Sequence, residues 1–238
     1  MSETLVCCVD IGSTWTKGAL VQVRPDTRVL ARHSVPTTQR DLSEGFGQVR
    51  DTVCAGRGTV PTRVTSSAHG GLAVAAIGIV PQLTLQAARL TAMGAGARVC
   101  AHLAWRLTDD DVAALVRSQP DIVLLTGGTD GGDEGYLLHN ARMLKGLPET
   151  LPVVFAGNRA VAGRVQTLLG DTRVVVADNV MPELNTLNPE PAREAIRGLF
   201  LESVIAGKGL EQVAQAAQGE IEPTPRSVLR LVTLLADN

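Results

Sequence analysis

Six residues between positions 10 and 17 have the side chains that a phosphate site requires. They are Asp10, Gly12, Ser13, Thr14, Thr16 and Lys17. Glycine lets backbone N–H groups approach a ligand, hydroxyls donate hydrogen bonds, and lysine supplies a positive charge. The aspartate cannot hold phosphate directly but suits Mg²⁺, which bridges carboxylates to phosphates. The pattern therefore predicts phosphate contacts from the glycine, the hydroxyls and the lysine, and a metal contact from Asp10.

The alternative interpretation of this stretch is a hairpin turn that is polar without binding a ligand. Apolar runs at 5–10 and 18–23 predict strands on either side, so the turn joins two antiparallel strands. It is not a Walker-type loop, since G-x-x-x-x-G-K-[ST] is absent and a strand rather than a helix follows. The hydroxyl and lysine beside Asp-x-Gly-Ser favour phosphate binding over the ligand-free turn.

A second polar turn, TGGTDGGDEG at 126–135, follows a buried apolar run at 121–125 and precedes a predicted helix. Ligands of open α/β sheets bind beyond the carboxyl ends of strands, so Gly127, Gly128 and Asp130 are candidate ligand-binding residues. The acidic residues suit a metal, a ribose hydroxyl or a protein partner better than a bare phosphate. A glycine-rich connection with acidic residues near a helix start is an equally consistent structural explanation.

Composition excludes several classes of function. The 238 residues carry a net charge of −2 and only 3% aromatic side chains, so no nucleic-acid partner is expected. The N-terminus lacks the features of a signal peptide, and no apolar run is long enough to span a bilayer, so a cytoplasmic location is expected. The four cysteines have no metal-ligand spacing and are expected to be reduced thiols. No Ser–His–Asp or Cys–His arrangement supports hydrolysis through a protein nucleophile.

The order of elements predicts an α/β fold. Three strands with short connections occupy the first 35 residues, and from position 81 helices and strands alternate. Such alternation is typical of βαβ units with a parallel sheet. Residues 66–180 are therefore predicted to form a Rossmann-like α/β portion, and residues 1–65 and 181–238 to belong to another domain.

The stretch VDIGSTWTK resembles the first phosphate motif of the actin/Hsp70/sugar-kinase ATPase superfamily. More closely, the chain resembles the MutL (GlmL) accessory proteins of coenzyme-B12-dependent glutamate mutase, which are unrelated to the mismatch-repair protein called MutL. The segments that carry this resemblance are DIGSTWTK, SSAHGGLAVAAIGIVPQLTLQAARLTAMGAGARV, PDIVLLTGGTDGGD, LHNARML, PVVFAGN and DNVMPELNTLNPEPAR. They cover most of the chain, and GGTDGGD with LHNAR is their most specific part.

The resemblance implies an incomplete actin-type lobe with an RNase H-like fold that binds ATP or ADP with Mg²⁺. It also implies a mutase subunit as partner, and a chaperone-like reactivase that exchanges damaged cofactor. The second phosphate motif of the superfamily is absent, so the chain is interpreted as an N-terminal portion whose ATP hydrolysis alone is not expected. The Rossmann-like portion resembles the B12-binding domain of the mutases without their D-x-H-x-x-G pattern, which suggests mimicry of or docking onto that domain.

Two other functions remain open from the sequence. A small-molecule kinase of the same superfamily would need a general base near its substrate, for which only Asp130 and Asp133 are candidates. A protein-interaction module with a vestigial phosphate turn would need no nucleotide at all. Nucleotide binding and phosphoryl transfer distinguish these functions from one another.

Overall fold

The structure is a computed structural model that describes residues 4–38, 41–67, 72–205, 210–217 and 221–236. The chain divides into two compact units, the first comprising Met1–Gly71 with Leu201–Asn238 and the second Leu72–Phe200. Residues 181–200 belong to the second unit, whereas the sequence pattern assigns them to the first. The paired glycines at 70–71, which the sequence suggests as a connection, lie outside the described residues.

The three N-terminal strands and the alternation of helices and strands from position 81 follow the order that the sequence pattern indicates, whereas a short helix and a short strand after residue 209 are not predicted. The strands are β1 (Thr4–Ile11), β2 (Trp15–Arg24), β3 (Arg28–Pro36), β4 (Thr62–Ser66), β5 (Ala73–Ile77), β6 (Arg98–Leu103), β7 (Ile122–Leu125), β8 (Val153–Phe155), β9 (Val174–Val176) and β10 (Ile221–Pro223). The helices are α1 (Leu42–Val53), α2 (Gln86–Gly94), α3 (Asp109–Arg117), α4 (Gly135–Leu144), α5 (Ala162–Leu169), α6 (Glu190–Ile205), α7 (Leu210–Ala216) and α8 (Thr224–Ala236).

The first unit contains a five-stranded sheet in the order β10-β4-β1-β2-β3. The strands β1, β2 and β3 are antiparallel neighbours, as the short connections predict, and β4 is parallel to β1. The last strand, β10, adds to β4 in parallel. Three antiparallel strands, a helix and two parallel strands form the RNase H-like lobe that the family resemblance implies.

One face of this sheet is covered by α1. Strand alternation directs Cys7, Val9 and Ile11 of β1 to that face, where they are buried. The helix contributes the buried Phe46 and Val49, and its first turn is capped by a carboxylate that accepts a backbone N–H. The opposite face carries the alternate residues of each strand and bears the candidate site.

The second unit contains a wholly parallel sheet in the order β6-β5-β7-β8-β9. Counted from β5, this is the doubly wound order 2-1-3-4-5. Its central strands β5, β7 and β8 are buried throughout, which agrees with their continuous apolar sequences. The predicted α/β fold is therefore confirmed. Among the described residues, no helix has both the length and the apolar character needed to cross a membrane.

Candidate functional site

The turn between β1 and β2 is a tight hairpin with two residues at its tip. The Gly12 amide donates to the Trp15 carbonyl at 3.0 Å, and the side chains of Ser13 and Thr14 are exposed. A Cβ atom at Gly12 would lie 2.8 Å from the Trp15 carbonyl oxygen, so the closure requires glycine. No acceptor for the amides of Ser13 and Thr14 is found among the described residues. These two N–H groups and their hydroxyls are available to an anion at the tip.

The turn is supported from behind by Thr37. Its amide donates to the Thr14 carbonyl at 2.9 Å, and its hydroxyl donates to the Gly12 carbonyl at 2.8 Å. The Thr16 hydroxyl lies 3.1 Å from that of Thr37, and Thr16 is only 1% exposed. Thr16 therefore supports the hairpin rather than facing a ligand, in contrast to the sequence prediction. The reason is strand alternation, which directs Thr16 and Lys17 to opposite faces of β2.

Asp10 and Lys17 are brought together by strand pairing on the uncovered face of the sheet. Asp10 of β1 is the direct partner of Lys17 on β2 and of Thr65 on β4. In the same row, Ser34 of β3 lies beside Lys17, and Glu222 of β10 lies beside Thr65. Paired residues in neighbouring strands direct their side chains to the same face. The row therefore gathers two carboxylates, an ammonium and two hydroxyls across five strands.

The Asp10 carboxylate is held by two threonine hydroxyls. Thr65 Oγ1 donates to Asp10 Oδ1 at 2.9 Å, and Thr224 Oγ1, at the start of α8, donates to the same oxygen at 2.8 Å. Hydroxyl bonds to a charged acceptor are stronger than neutral ones, so they fix the orientation of the carboxylate. Among the described residues nothing donates to Asp10 Oδ2, which leaves that oxygen for a ligand.

This geometry fits the Mg²⁺ that the sequence predicts at Asp10. No group of three or more His, Cys, Asp or Glu side chains is placed to hold a metal within the described parts of the chain. Mg²⁺ is usually bound by one or two carboxylates, several waters and the phosphates of its ligand, so a protein cage is not required. A single oriented carboxylate beside a turn with two free amides fits that requirement.

Lys17 is available to a phosphate group. Its side chain is exposed on β2, and no carboxylate pairs with it in the described ranges. A groove of about 560 Å³ extends over this part of the sheet. Its lining residues are Cys8, Val9, Asp10, Lys17, Gly18, Ala19, Arg32, His33, Ser34, Arg63 and Thr65. A groove of this volume has the size of a small-molecule site.

Glu222 is the acidic end of the row and is fixed by α8. The Ser227 hydroxyl donates to the Glu222 carboxylate at 2.7 Å, and Arg230 Nη1 donates to it at 2.8 Å. Arg226 Nη1 lies 3.9 Å from the same carboxylate. Burial raises the pKa of the Glu222 carboxyl, but the hydrogen bond from Ser227 and the two arginines outweigh it. The pKa of Glu222 therefore lies below its usual value.

Three residues of the site, Thr65, Thr224 and Glu222, are absent from the sequence prediction. The strand β10 that places the last two has only three residues and pairs with a strand about 155 positions earlier. Proline at 225, directly after Thr224, is a local signal of a helix start, but nothing local connects that start to Asp10.

The second polar turn, after β7, uses its acidic residue within the protein. Asp130 Oδ1 accepts the Arg159 amide at 3.1 Å and Asn179 Nδ2 at 2.9 Å. Asn158, whose side chain caps the turn after β8 by accepting the Ala160 amide, also accepts the Gly131 amide at 3.0 Å. The turns after three neighbouring strands are thus joined by side-chain hydrogen bonds. This network favours a structural role for Asp130, and a ligand there stays a prediction.

The glycines of that turn serve close packing. Gly127 and Gly128 have φ values of 138° and 65°, which L side chains rarely adopt. A Cβ atom at Gly128 would lie 2.8 Å from the Asp133 carbonyl oxygen, and one at Gly127 would lie 2.5 Å from Ile79 Cγ1. These contacts account for both glycines without a ligand.

A family model and a curated relative both match most of the chain. The family model described as MutL protein matches residues 6–238. Protein MutL of Clostridium tetanomorphum is 38% identical over 236 residues, which cover 96% of this chain and 51% of that protein. The chain therefore spans about half the length of this curated relative.

Solved structures give weaker likenesses. Nucleotide-free acetone carboxylase is 10% identical with a TM-score of 0.34, over 85% of this chain and 35% of that one. The activator of 2-hydroxyisocaproyl-CoA dehydratase from Clostridium difficile with bound ADPNP is 11% identical with a TM-score of 0.22. That match covers 86% of this chain and 99% of the activator chain. The family match extends across both units and includes the hairpin with Asp10 and Lys17, so the chain belongs to the MutL protein family.

Proposed function

We propose that this chain binds an adenine nucleotide with Mg²⁺ and forms part of an accessory protein for a coenzyme-B12-dependent glutamate mutase. The observation that carries the proposal is the arrangement of the first hairpin. A tight glycine turn with free amides adjoins Asp10, which two threonines orient, and Lys17, which has no carboxylate partner among the described residues. Membership in the MutL family supports the mutase as partner, and the action is that of a chaperone-like reactivase in the cytoplasm.

In this proposal the residues of the hairpin contact different parts of the bound nucleotide and its metal. The amides and hydroxyls of Ser13 and Thr14 take the terminal phosphate oxygens, and Lys17 neutralises their charge. Asp10 Oδ2 holds Mg²⁺ directly or through a water, while Oδ1 stays with the two threonines. Mg²⁺, when bound, supplies positive charge between the carboxylate and the phosphates.

Calorimetric titration with Mg-ADP and Mg-ATP tests nucleotide binding. We expect Asp10→Asn and Lys17→Gln to weaken the affinity by about tenfold or more, because each removes a charged contact to the metal or the phosphates. The matched control is Asp26→Asn, an exposed aspartate between β2 and β3 that pairs with Arg28. Binding that is equal in all four proteins, or absent in all, contradicts the proposal and favours an interaction module.

The accessory role has its own test. Glutamate mutase that has lost activity during turnover is incubated with this protein, Mg-ATP and fresh coenzyme. We expect recovery of activity with the wild-type protein and none with Asp10→Asn. Because the chain covers about half of its relative, the full-length relative is assayed beside it. Failure of both proteins to restore activity contradicts the reactivase role, while transfer of phosphate to a small molecule would instead indicate a kinase.

A further inference from the structure

A second row of side chains crosses the same groove next to the Asp10 row. Strand pairing places Arg63 of β4 beside Cys8 of β1, Cys8 beside Ala19 of β2, and Ala19 beside Arg32 of β3. All four residues line the groove. The two side chains in the middle of this row are therefore small and weakly polar, and the residue at each end carries a guanidinium group.

Both arginines are exposed and lack an acidic partner. No carboxylate lies within ion-pair distance of Arg32 or Arg63 in the part of the chain that the structure describes. Together with Lys17 they give the groove three positive charges, and Asp10 is the only carboxylate among its lining residues. Unpaired guanidinium groups bind carboxylates and phosphates with directed hydrogen bonds.

The position of this row separates it from the phosphate-binding turn. Cys8 lies two residues from Asp10 and four from Gly12, which corresponds to about 7 Å and about 13 Å along the strand. Across the sheet, the two arginines are three strand spacings apart, or about 14 Å. The terminal phosphates and Mg²⁺ of a nucleotide at the turn would therefore lie one row or more away from Cys8 and Ala19.

We propose that the second row binds a small organic anion, with a carboxylate or phosphate group held at one end of the row by Arg32 or by Arg63 and an apolar body lying over Cys8 and Ala19. The groove of about 560 Å³ suits a molecule of metabolite size rather than a folded protein. The inference rests on the proposed function in one respect: it places this anion beside a nucleotide that Asp10 and Lys17 hold. The groove then holds two ligands side by side on one sheet face.

Alkylation of Cys8 provides a direct probe of the groove. Cys8 is the only exposed cysteine, whereas Cys54 and Cys100 are half-buried and Cys7 is fully buried. Burial raises the pKa of the Cys7 thiol to about 12; burial also raises that of Cys8, although Arg63 opposes the shift. The rate of Cys8 modification by iodoacetamide is followed by mass spectrometry at mildly alkaline pH. Inorganic phosphate, acetate and hexanoate serve as the anions.

We expect saturable protection of Cys8, and hexanoate to protect at lower concentration than acetate. Each methylene that leaves water contributes up to about fourfold in affinity. At least one of Arg32→Gln and Arg63→Gln is expected to raise the half-protecting concentration about threefold, and the double variant to raise it at least as much. Arg28→Gln, on the same strand but paired with Asp26, is the matched control and leaves it unchanged. Calorimetric titration with hexanoate gives a second readout.

Protection that is not saturable, that is equal for acetate and hexanoate, or that persists in the Arg32→Gln, Arg63→Gln double variant overturns the inference. Titration of the same proteins with Mg-ADP separates this result from the proposed function. Anion binding without nucleotide binding contradicts the proposed function alone. Nucleotide binding without protection of Cys8 contradicts the second ligand alone.

Discussion

The hydrogen bond from Thr224 to Asp10 joins residues 214 positions apart and yields a quantitative prediction. Thr224→Val keeps the shape of the side chain and removes the hydroxyl. Bonds to charged groups contribute about 1.5–3 kcal/mol, and the lower end applies because Asp10 is only half-buried. We therefore expect Thr224→Val to lower the free energy of unfolding of the first unit by about 1.5 kcal/mol.

The assay for this prediction is urea unfolding followed by tryptophan fluorescence. The structure has one tryptophan in each unit, so a Trp105→Phe background leaves Trp15 as the reporter of the first unit. A double-mutant cycle with Asp10→Ala isolates the pairwise energy between Thr224 and Asp10. Thr27→Val is the control, because its exposed hydroxyl makes only a long bond of 3.4 Å to a backbone carbonyl.

A coupling energy of about 1 kcal/mol between Asp10 and Thr224 agrees with the geometry. A coupling below about 0.3 kcal/mol refutes the reasoning, because the two residues would then act independently. The same variant is expected to weaken Mg-ADP binding several-fold, since the freed carboxylate loses its fixed orientation. Thr224→Ser restores the hydroxyl and is expected to restore both quantities.

Three further predictions concern other parts of the structure. Gly128→Ala should lower the free energy of unfolding of the second unit by about 2 kcal/mol or more. Gly131→Ala, whose added Cβ meets open space, should lower it by about 1 kcal/mol. Urea unfolding followed by Trp105 fluorescence measures both. Because the pKa of Glu222 is lower in the folded than in the unfolded protein, its ionised carboxylate stabilises the fold above the unfolded-state pKa, and this stability is lost as the pH falls through the folded-state pKa. Glu222→Gln should therefore reduce the loss of stability at acid pH, as unfolding measured at several pH values would show. Native Cys7 should resist alkylation until the protein unfolds, as site-resolved mass spectrometry would show.

Much of the fold could be predicted because its signals are local. The apolar runs of β1 and β2 and the continuous buried strand β7 of the second unit appear in the structure as the sequence indicates. Each of these features depends on residues within a few positions of one another. Local propensity and strand periodicity are sufficient in such cases.

The candidate site was harder to predict because its parts come from distant positions. Asp10 and Lys17 belong to one hairpin, so the sequence predicts both as site residues, but Thr224 reaches Asp10 only through the pairing of β10 with β4. Thr16 is also predicted to contact phosphate, although the strand period of two, counted from Lys17, assigns it to the covered face. The hydrogen bonds of Asp130 come from turns after two other strands, so sequence alone left its role open.

The measurement that tests the central claim most directly is the change in backbone amide chemical shifts when Mg-ADP is added to isotopically labelled protein. The free amides of Ser13 and Thr14 are predicted to shift most, together with that of Lys17, and Asp10→Asn is predicted to reduce these shifts at the same concentration of Mg-ADP. Amides of the turn at 126–135 should change little, because its polar groups are already hydrogen-bonded within the protein. Shifts largest at 126–135, or none at Ser13 and Thr14, would contradict the assignment of the nucleotide to the first hairpin.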